Sequence, residues 1–152
     1  MRHAQIDDLF ARYREPVYRF LRRLLHDGAA AEDLTQDAFL RAMSGPYQSN
    51  GHERAWIFQI ARNLAKDYRR AAGRRPATTA FEDAPSPGAD RTVALSLDAA
   101  LASLEEDDRE IFLLKEVAGL SYAEIAEACG VTPDAVRSRL HRTRIALRKQ
   151  LT

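Results

Sequence analysis

Apolar residues in this chain recur at intervals of three and four, and no stretch alternates apolar with polar. Ile6, Leu9, Phe10, Tyr13, Val17, Phe20, Leu21, Leu24 and Leu25 trace one side of a helix. A strand would instead place its apolar residues at every second position. The pattern predicts an all-α fold, with two small helical domains joined by a flexible linker. Pro16 falls within the first periodic segment. It has no N–H and crowds the preceding turn, so it is expected to kink or divide that helix.

Turn residues punctuate the chain beyond this segment. Asp27-Gly28 closes it, and a second helix is predicted from about Ala30 to Met43. Leu34, Ala38, Phe39 and Ala42 are expected inward, leaving Asp33, Gln36 and Asp37 together on the outer face. Ser44 to His52 is dense in turn residues and reads as a loop. A third helix is predicted from about Glu53 to Ala72, carried by Trp56, Ile57, Ile60, Leu64 and Tyr68 and stopped by Gly73. From Pro76 to Ser96 there are three prolines and no sustained apolar period, as in a linker. The predicted domains are therefore 1–75 and 97–152, with the linker at 76–96.

The last third carries the sharpest local signals. Leu97, Leu101 and Leu104 mark a short helix. Asp107 and Asp108 open another, with Ile111, Phe112, Leu114 and Val117 inward and Gly119 at its end. Ser121 with Glu124 makes a capping box for a helix over Tyr122–Cys129. Gly130 permits a sharp turn, Thr132 caps the next helix, and Pro133 takes its first position. Small Ala126 at the crossing, with Ile125, Val131, Val136 and Leu140 as a wedge, completes a helix-turn-helix. Its second helix, running to about Gln150, presents Arg137, Ser138, His141, Arg142, Arg144 and Arg148. Such a basic ridge suits the major groove, where arginine bridges guanine O6 and N7 and hydroxyls reach phosphates or base edges.

Charge supports a polyanionic partner only when sorted by position. The 152 residues carry a formal net charge of +1, which by itself argues against nucleic acid. Residues 1–75 have a net charge of +5, 76–108 of −7 and 109–152 of +3, with no acid beyond Asp134. Two basic blocks thus flank an acidic middle, and it is this distribution that steers a polyanion. Other chemistries lack equipment. The four histidines (His3, His26, His52, His141) have no ligand spacing, and the single Cys129 excludes a thiolate zinc site and an internal disulfide. No nucleophile elbow or glycine-rich phosphate loop is present, so neither a catalytic residue, a metal nor a cofactor is predicted. No apolar run is long enough to span a bilayer and no signal-peptide core is seen, so the expectation is a cytoplasmic protein without membrane insertion.

Two further stretches fix the class. Ala31-Glu32-Asp33-Leu34-Thr35-Gln36-Asp37-Ala38-Phe39-Leu40 and Ala55-Trp56-Ile57-Phe58-Gln59-Ile60-Ala61-Arg62-Asn63 resemble regions 2.2 and 2.3–2.4 of bacterial RNA polymerase sigma factors, of the extracytoplasmic-function type. Gly119-Leu120-Ser121-Tyr122-Ala123-Glu124-Ile125-Ala126 and Val136-Arg137-Ser138-Arg139-Leu140 resemble region 4 of the same family. The resemblance covers about residues 5–75 and 95–151, in the family's order.

It implies a factor that binds core RNA polymerase, recognises −35 and −10 promoter elements and promotes melting. Asp33, Gln36 and Asp37 would dock on the β′ clamp helices. Tyr47, Gln48, Asn50, Arg62, Asn63, Lys66, Arg69 and Arg70 would serve the −10 element, where a base is extruded into a pocket. The C-terminal helix would read the −35 duplex and its domain would touch the β-flap. An anti-sigma factor is an implied partner, and the acids Glu82, Asp83 and Asp90 would let the linker mimic nucleic acid. Among the aromatics, Tyr47 and Tyr68 are stacking candidates, whereas Trp56 reads as core. The chain departs from the family in its loop, Tyr47-Gln48-Ser49-Asn50-Gly51-His52 in place of a Phe-Arg-Gly-acid stretch. It departs again at Glu105, where a proline is common.

Overall fold

The computed structural model describes residues 2–45, 51–72 and 91–151, with side chains from residue 6 in the first segment and residue 96 in the last. Among the described residues seven helices, α1 to α7, occupy Arg2–Leu25, Gly28–Ser44, Glu53–Ala72, Arg91–Ala102, Glu106–Glu116, Tyr122–Cys129 and Pro133–Leu151. No strand occurs among the described residues. The bounds of α3 and α6 are those the sequence predicts. The linker assignment ends too late, because α4 already begins at Arg91. Glu82, Asp83 and Asp90 lie outside the described residues.

Pro16 does not divide the first helix: α1 runs through it from Arg2 to Leu25. Proline inside a helix costs about 3 kcal/mol. Beyond it Val17, Phe20, Leu21 and Leu24 are all buried, and burying each such side chain contributes about 1.5–3 kcal/mol. Packing therefore outweighs the missing hydrogen bond. Phe20 meets Phe58 edge to face, with centroids 5.7 Å apart, tying α1 to α3.

Helices α1 to α3 form an N-terminal bundle. Asp27 caps α2 by accepting from the Ala30 N–H at 3.1 Å. Ala31, Ala38 and Ala42 bring α2 close to its neighbours, with Phe39 buried beside them. The C-terminal bundle, α4 to α7, is built on Leu101, Leu113, Leu114, Leu120, Ile125, Val136 and Leu140. Leu113 is buried and Phe112 only partly so, which rotates α5 slightly from the predicted face. Glu105 stands before α5 without a side-chain cap. The two bundles also meet: α3 packs on α6 and α1 on α5. Buried side chains of both belong to one continuous apolar cluster.

Candidate nucleic-acid and polymerase interfaces

The helix-turn-helix is positioned by the signals that announce it. Ser121 and Glu124 form the reciprocal capping box, at 3.1 and 2.9 Å. Gly130 adopts φ +69°, the left-handed turn conformation that a side chain disfavours. Thr132 Oγ1 accepts from the Ala135 N–H at 3.1 Å, capping α7. Val136, Leu140, Thr143 and Leu147 are buried, which turns Arg137, Ser138, His141, Arg142 and Arg148 to solvent.

Cations on this face are held only loosely. Arg137 pairs with Asp134 at 2.9 Å and lies over the Tyr122 ring. Arg144, half-exposed, pairs with Glu116 at 3.0 Å. Exposed pairs of this kind contribute at most about 1 kcal/mol and are readily exchanged for a phosphate. The whole predicted −35 set is thus collected on one helix and faces outward.

The predicted −10 set is divided. Tyr47, Gln48 and Asn50 lie outside the described residues. Asn63 and Arg70 are exposed on α3. Arg62, Lys66 and Arg69 instead face the C-terminal bundle. Arg62 Nε donates to Glu110 at 2.6 Å and also approaches Asp107 at 3.7 Å. Lys66 lies 3.8 Å from Asp107, and Arg69 lies 2.8 Å from Glu106 and 3.7 Å from Glu110. The Glu110 side chain is 0% exposed and that of Arg62 is 12% exposed. Burial pushes the Glu110 carboxyl above its ordinary pKa, with Arg62 pulling the other way. Tyr68 is not a free stacking platform either, since its hydroxyl donates to Asp27 at 3.2 Å. Trp56 packs against the core, as its spacing suggests.

These acidic partners are absent from the site residues that the sequence suggests. Arg54 donates to Glu124 through two nitrogens, at 2.8 and 2.6 Å, and His52 contacts Glu127 at 2.8 Å. Arg23 bonds Asp98. One signal could have pointed to the seam: Glu110 lies three and four residues before the buried Leu113 and Leu114. A carboxylate on an apolar stripe requires a cationic partner from elsewhere.

On α2, Asp33, Gln36 and Asp37 sit together on the outer face, as predicted. They adjoin exposed Leu40 and Met43 on the same side of the helix. Phe10 of α1, also exposed, touches Phe39 with centroids 5.0 Å apart. The sequence alone suggested no function for these apolar residues. Cys129 is partly buried in the core, and its thiol is pushed up to about 11 by burial. Among the described residues no three His, Cys, Asp or Glu side chains are grouped to hold a metal. Nor is any helix there long and apolar enough to cross a membrane.

Comparisons with known proteins converge on these same segments. Residues 9–75 match the family Sigma-70 region 2, and residues 94–147 match Sigma-70, region 4. The chain is 31% identical to RNA polymerase sigma factor YlaC of Bacillus subtilis, over 100% of this chain and 95% of that protein. It is 36% identical to sigma factor CarQ of Myxococcus xanthus, over 95% and 88%, respectively. With ECF RNA polymerase sigma factor SigL of Mycobacterium tuberculosis it shares 33% identity, over 94% and 86%. Its fold resembles that of the sigma factor RpoE from Bartonella quintana, solved in complex with the anti-sigma factor NepR. That likeness has a TM-score of 0.77 and 27% identity, covering 97% of this chain and 96% of RpoE. Two bundles in this order, each matched to its own region, make the chain a member of the sigma-70 family of RNA polymerase sigma factors, in the extracytoplasmic-function group.

Proposed function

We propose that this chain directs core RNA polymerase to promoters by reading −10 DNA with residues 1–75 and the −35 duplex with residues 97–152. The observation that carries this reading is the outward, basic face of α7, paired with a second basic helix on the region 2 bundle. Arg137, Arg142 and Arg148 supply groove and phosphate contacts, with Ser138 and His141 among them and Arg144 released from Glu116. Tyr47, Gln48, Asn50, Asn63 and Arg70 receive the melted −10 strand, joined by Arg62, Lys66 and Arg69 once these are exposed. Unpairing costs a few kcal/mol per flipped base, offset by pocket and phosphate contacts.

Asp33, Gln36 and Asp37 dock on the β′ clamp helices, and Leu40, Met43 and Phe10 give that surface an apolar centre. An interface with an apolar middle and a charged rim has the anatomy of a specific protein contact. The region 4 bundle meets the β-flap. An anti-sigma factor is the expected regulatory partner, as it is for RpoE. The protein acts in the cytoplasm as a regulatory subunit without catalysis or cofactor of its own.

Run-off transcription with purified core polymerase on a promoter library tests the reading. Enrichment of paired −35 and −10 sequences over core alone is expected, and Asp33→Ala with Gln36→Ala should abolish it. No enrichment would overturn the assignment.

A further inference from the structure

The exposed face of α7 is not uniformly basic. A helix turns once in about 3.6 residues, so Asp134, Ser138, His141 and Ile145 fall along one line. All four are exposed, and the line lies opposite the buried Val136, Leu140, Thr143 and Leu147. Cations flank it on both sides. The same geometry sets Arg137, Arg144 and Arg148 along one flank, with Arg142 and Lys149 along the other.

Two rows of cations suit the phosphates on either side of a groove, which fix position without reading sequence. The line between them faces base edges, and in this motif the N-terminal residues of the second helix reach furthest toward them. Asp134 stands at the head of that line, in the first turn of α7, with its side chain 92% exposed. It is also the last acid in the chain. A first-turn carboxylate complements the helix dipole, although Thr132 already caps α7. An acid facing a polyanion must meet a donor there to offset the repulsion. In the free chain its donor is Arg137, at 2.9 Å, in an exposed pair that is easily exchanged. Arg137 also lies over the Tyr122 ring, 5.4 Å from its centroid, and so keeps a contact when Asp134 lets go.

The four bases differ in what they offer a carboxylate. In the major groove guanine presents two acceptors, thymine an acceptor and a methyl group, and adenine a donor beside an acceptor. Cytosine alone presents a donor with no acceptor next to it. We propose that Asp134 is a specificity-determining residue of α7, selecting a cytosine by accepting a hydrogen bond from its N4 amino group. The inference rests on the reading of α7 as the −35 helix. The flanking arginines supply most of the affinity, and Asp134 adds a preference at one base pair.

The full-length chain tests this by selection from a library of randomised duplexes, since this face of α7 is open to solvent. The unmodified chain is expected to enrich cytosine at one fixed position. Asparagine pairs with adenine N6 and N7, so Asp134→Asn should raise adenine over cytosine about tenfold at that position, relative to the unmodified chain. Asp134→Ala should lose the preference there while every other position keeps its own. Both variants should bind an unrelated duplex more tightly, because one negative charge is gone.

An unmodified chain that enriches no cytosine would overturn the proposal. So would Asn and Ala variants that act alike, for Asp134 would then only stabilise α7 or hold Arg137. Run-off transcription by the unmodified chain with core polymerase reports on the sigma reading separately. Failure there, with the change from cytosine to adenine intact, would count against the function and not against Asp134.

Discussion

Helices α3 and α7 read alike in sequence, since each sets arginines along one side of an amphipathic helix. Their surroundings are opposite. On α7 Arg137, Arg142 and Arg148 face water, and Arg137 pairs with exposed Asp134 on the same helix. On α3 Arg62, Lys66 and Arg69 face another bundle and their partners lie far along the chain; Glu110 is wholly buried, while Glu106 and Asp107 stay exposed. An exposed ion pair can be exchanged at little cost, whereas breaking a buried one leaves a charge without water or partner. The same composition therefore gives one surface open to solvent and another already engaged across the seam.

The largest test of this contrast compares two alanine substitutions. Arg62→Ala removes the nearest partner of Glu110 and should cost the packed arrangement about 3–5 kcal/mol. Arg142→Ala on α7 should change stability by no more than about 0.5 kcal/mol. Urea denaturation with small-angle scattering measures both, and equal effects would erase the distinction between the faces. Next in size is Gly130→Ala. An added Cβ meets nothing within 4 Å, so the cost comes from φ +69° alone, about 1–2 kcal/mol. Thermal denaturation should show that loss, and a neutral result would mean that the turn relaxes.

A smaller effect belongs to Arg54 and Glu124. A double-mutant cycle with Arg54→Ala and Glu124→Gln should give a coupling of about 1 kcal/mol, reduced by partial exposure. Glutamine is chosen because it can preserve the capping box. Zero coupling would make this contact incidental to the seam. Smallest is the pH response of His52, whose pKa the hydrogen bond to Glu127 raises above its ordinary 6.5. A raised folded-state value means its contribution is fully present below pH 6.5 and fades as pH climbs through the raised value. An NMR titration should find that midpoint, and Glu127→Gln should return it to the ordinary value. A midpoint already at the ordinary value in the unmodified chain would remove His52 from the seam.

Local chemistry made much of the fold legible. Periodicity bounded α3 and α6, and Ser121, Gly130, Thr132 and Pro133 located the helix-turn-helix, because caps and turns depend on near neighbours in sequence. Pro16 and the start of α4 were misjudged because packing of Val17 to Leu24, or of Ala100 and Leu101, overrides a local rule. The outward placement of Arg137, Ser138, His141, Arg142 and Arg148 was readable from α7 alone, because Val136, Leu140, Thr143 and Leu147 fix its buried face.

What the sequence determined by itself was the helical class, the motif, the family resemblance and the charge sorted into +5, −7 and +3. The acidic middle looked like a property of the linker. Only the tertiary structure sets Asp98, Glu106 and Asp107 against Arg23 and the cations of α3. Whether a basic residue is free or already paired depends on what lies across from it in space. Here that partner is 48 positions away for Arg62 and 70 for Arg54. No local pattern encodes such a distance, because it is set by the packing of one bundle on the other.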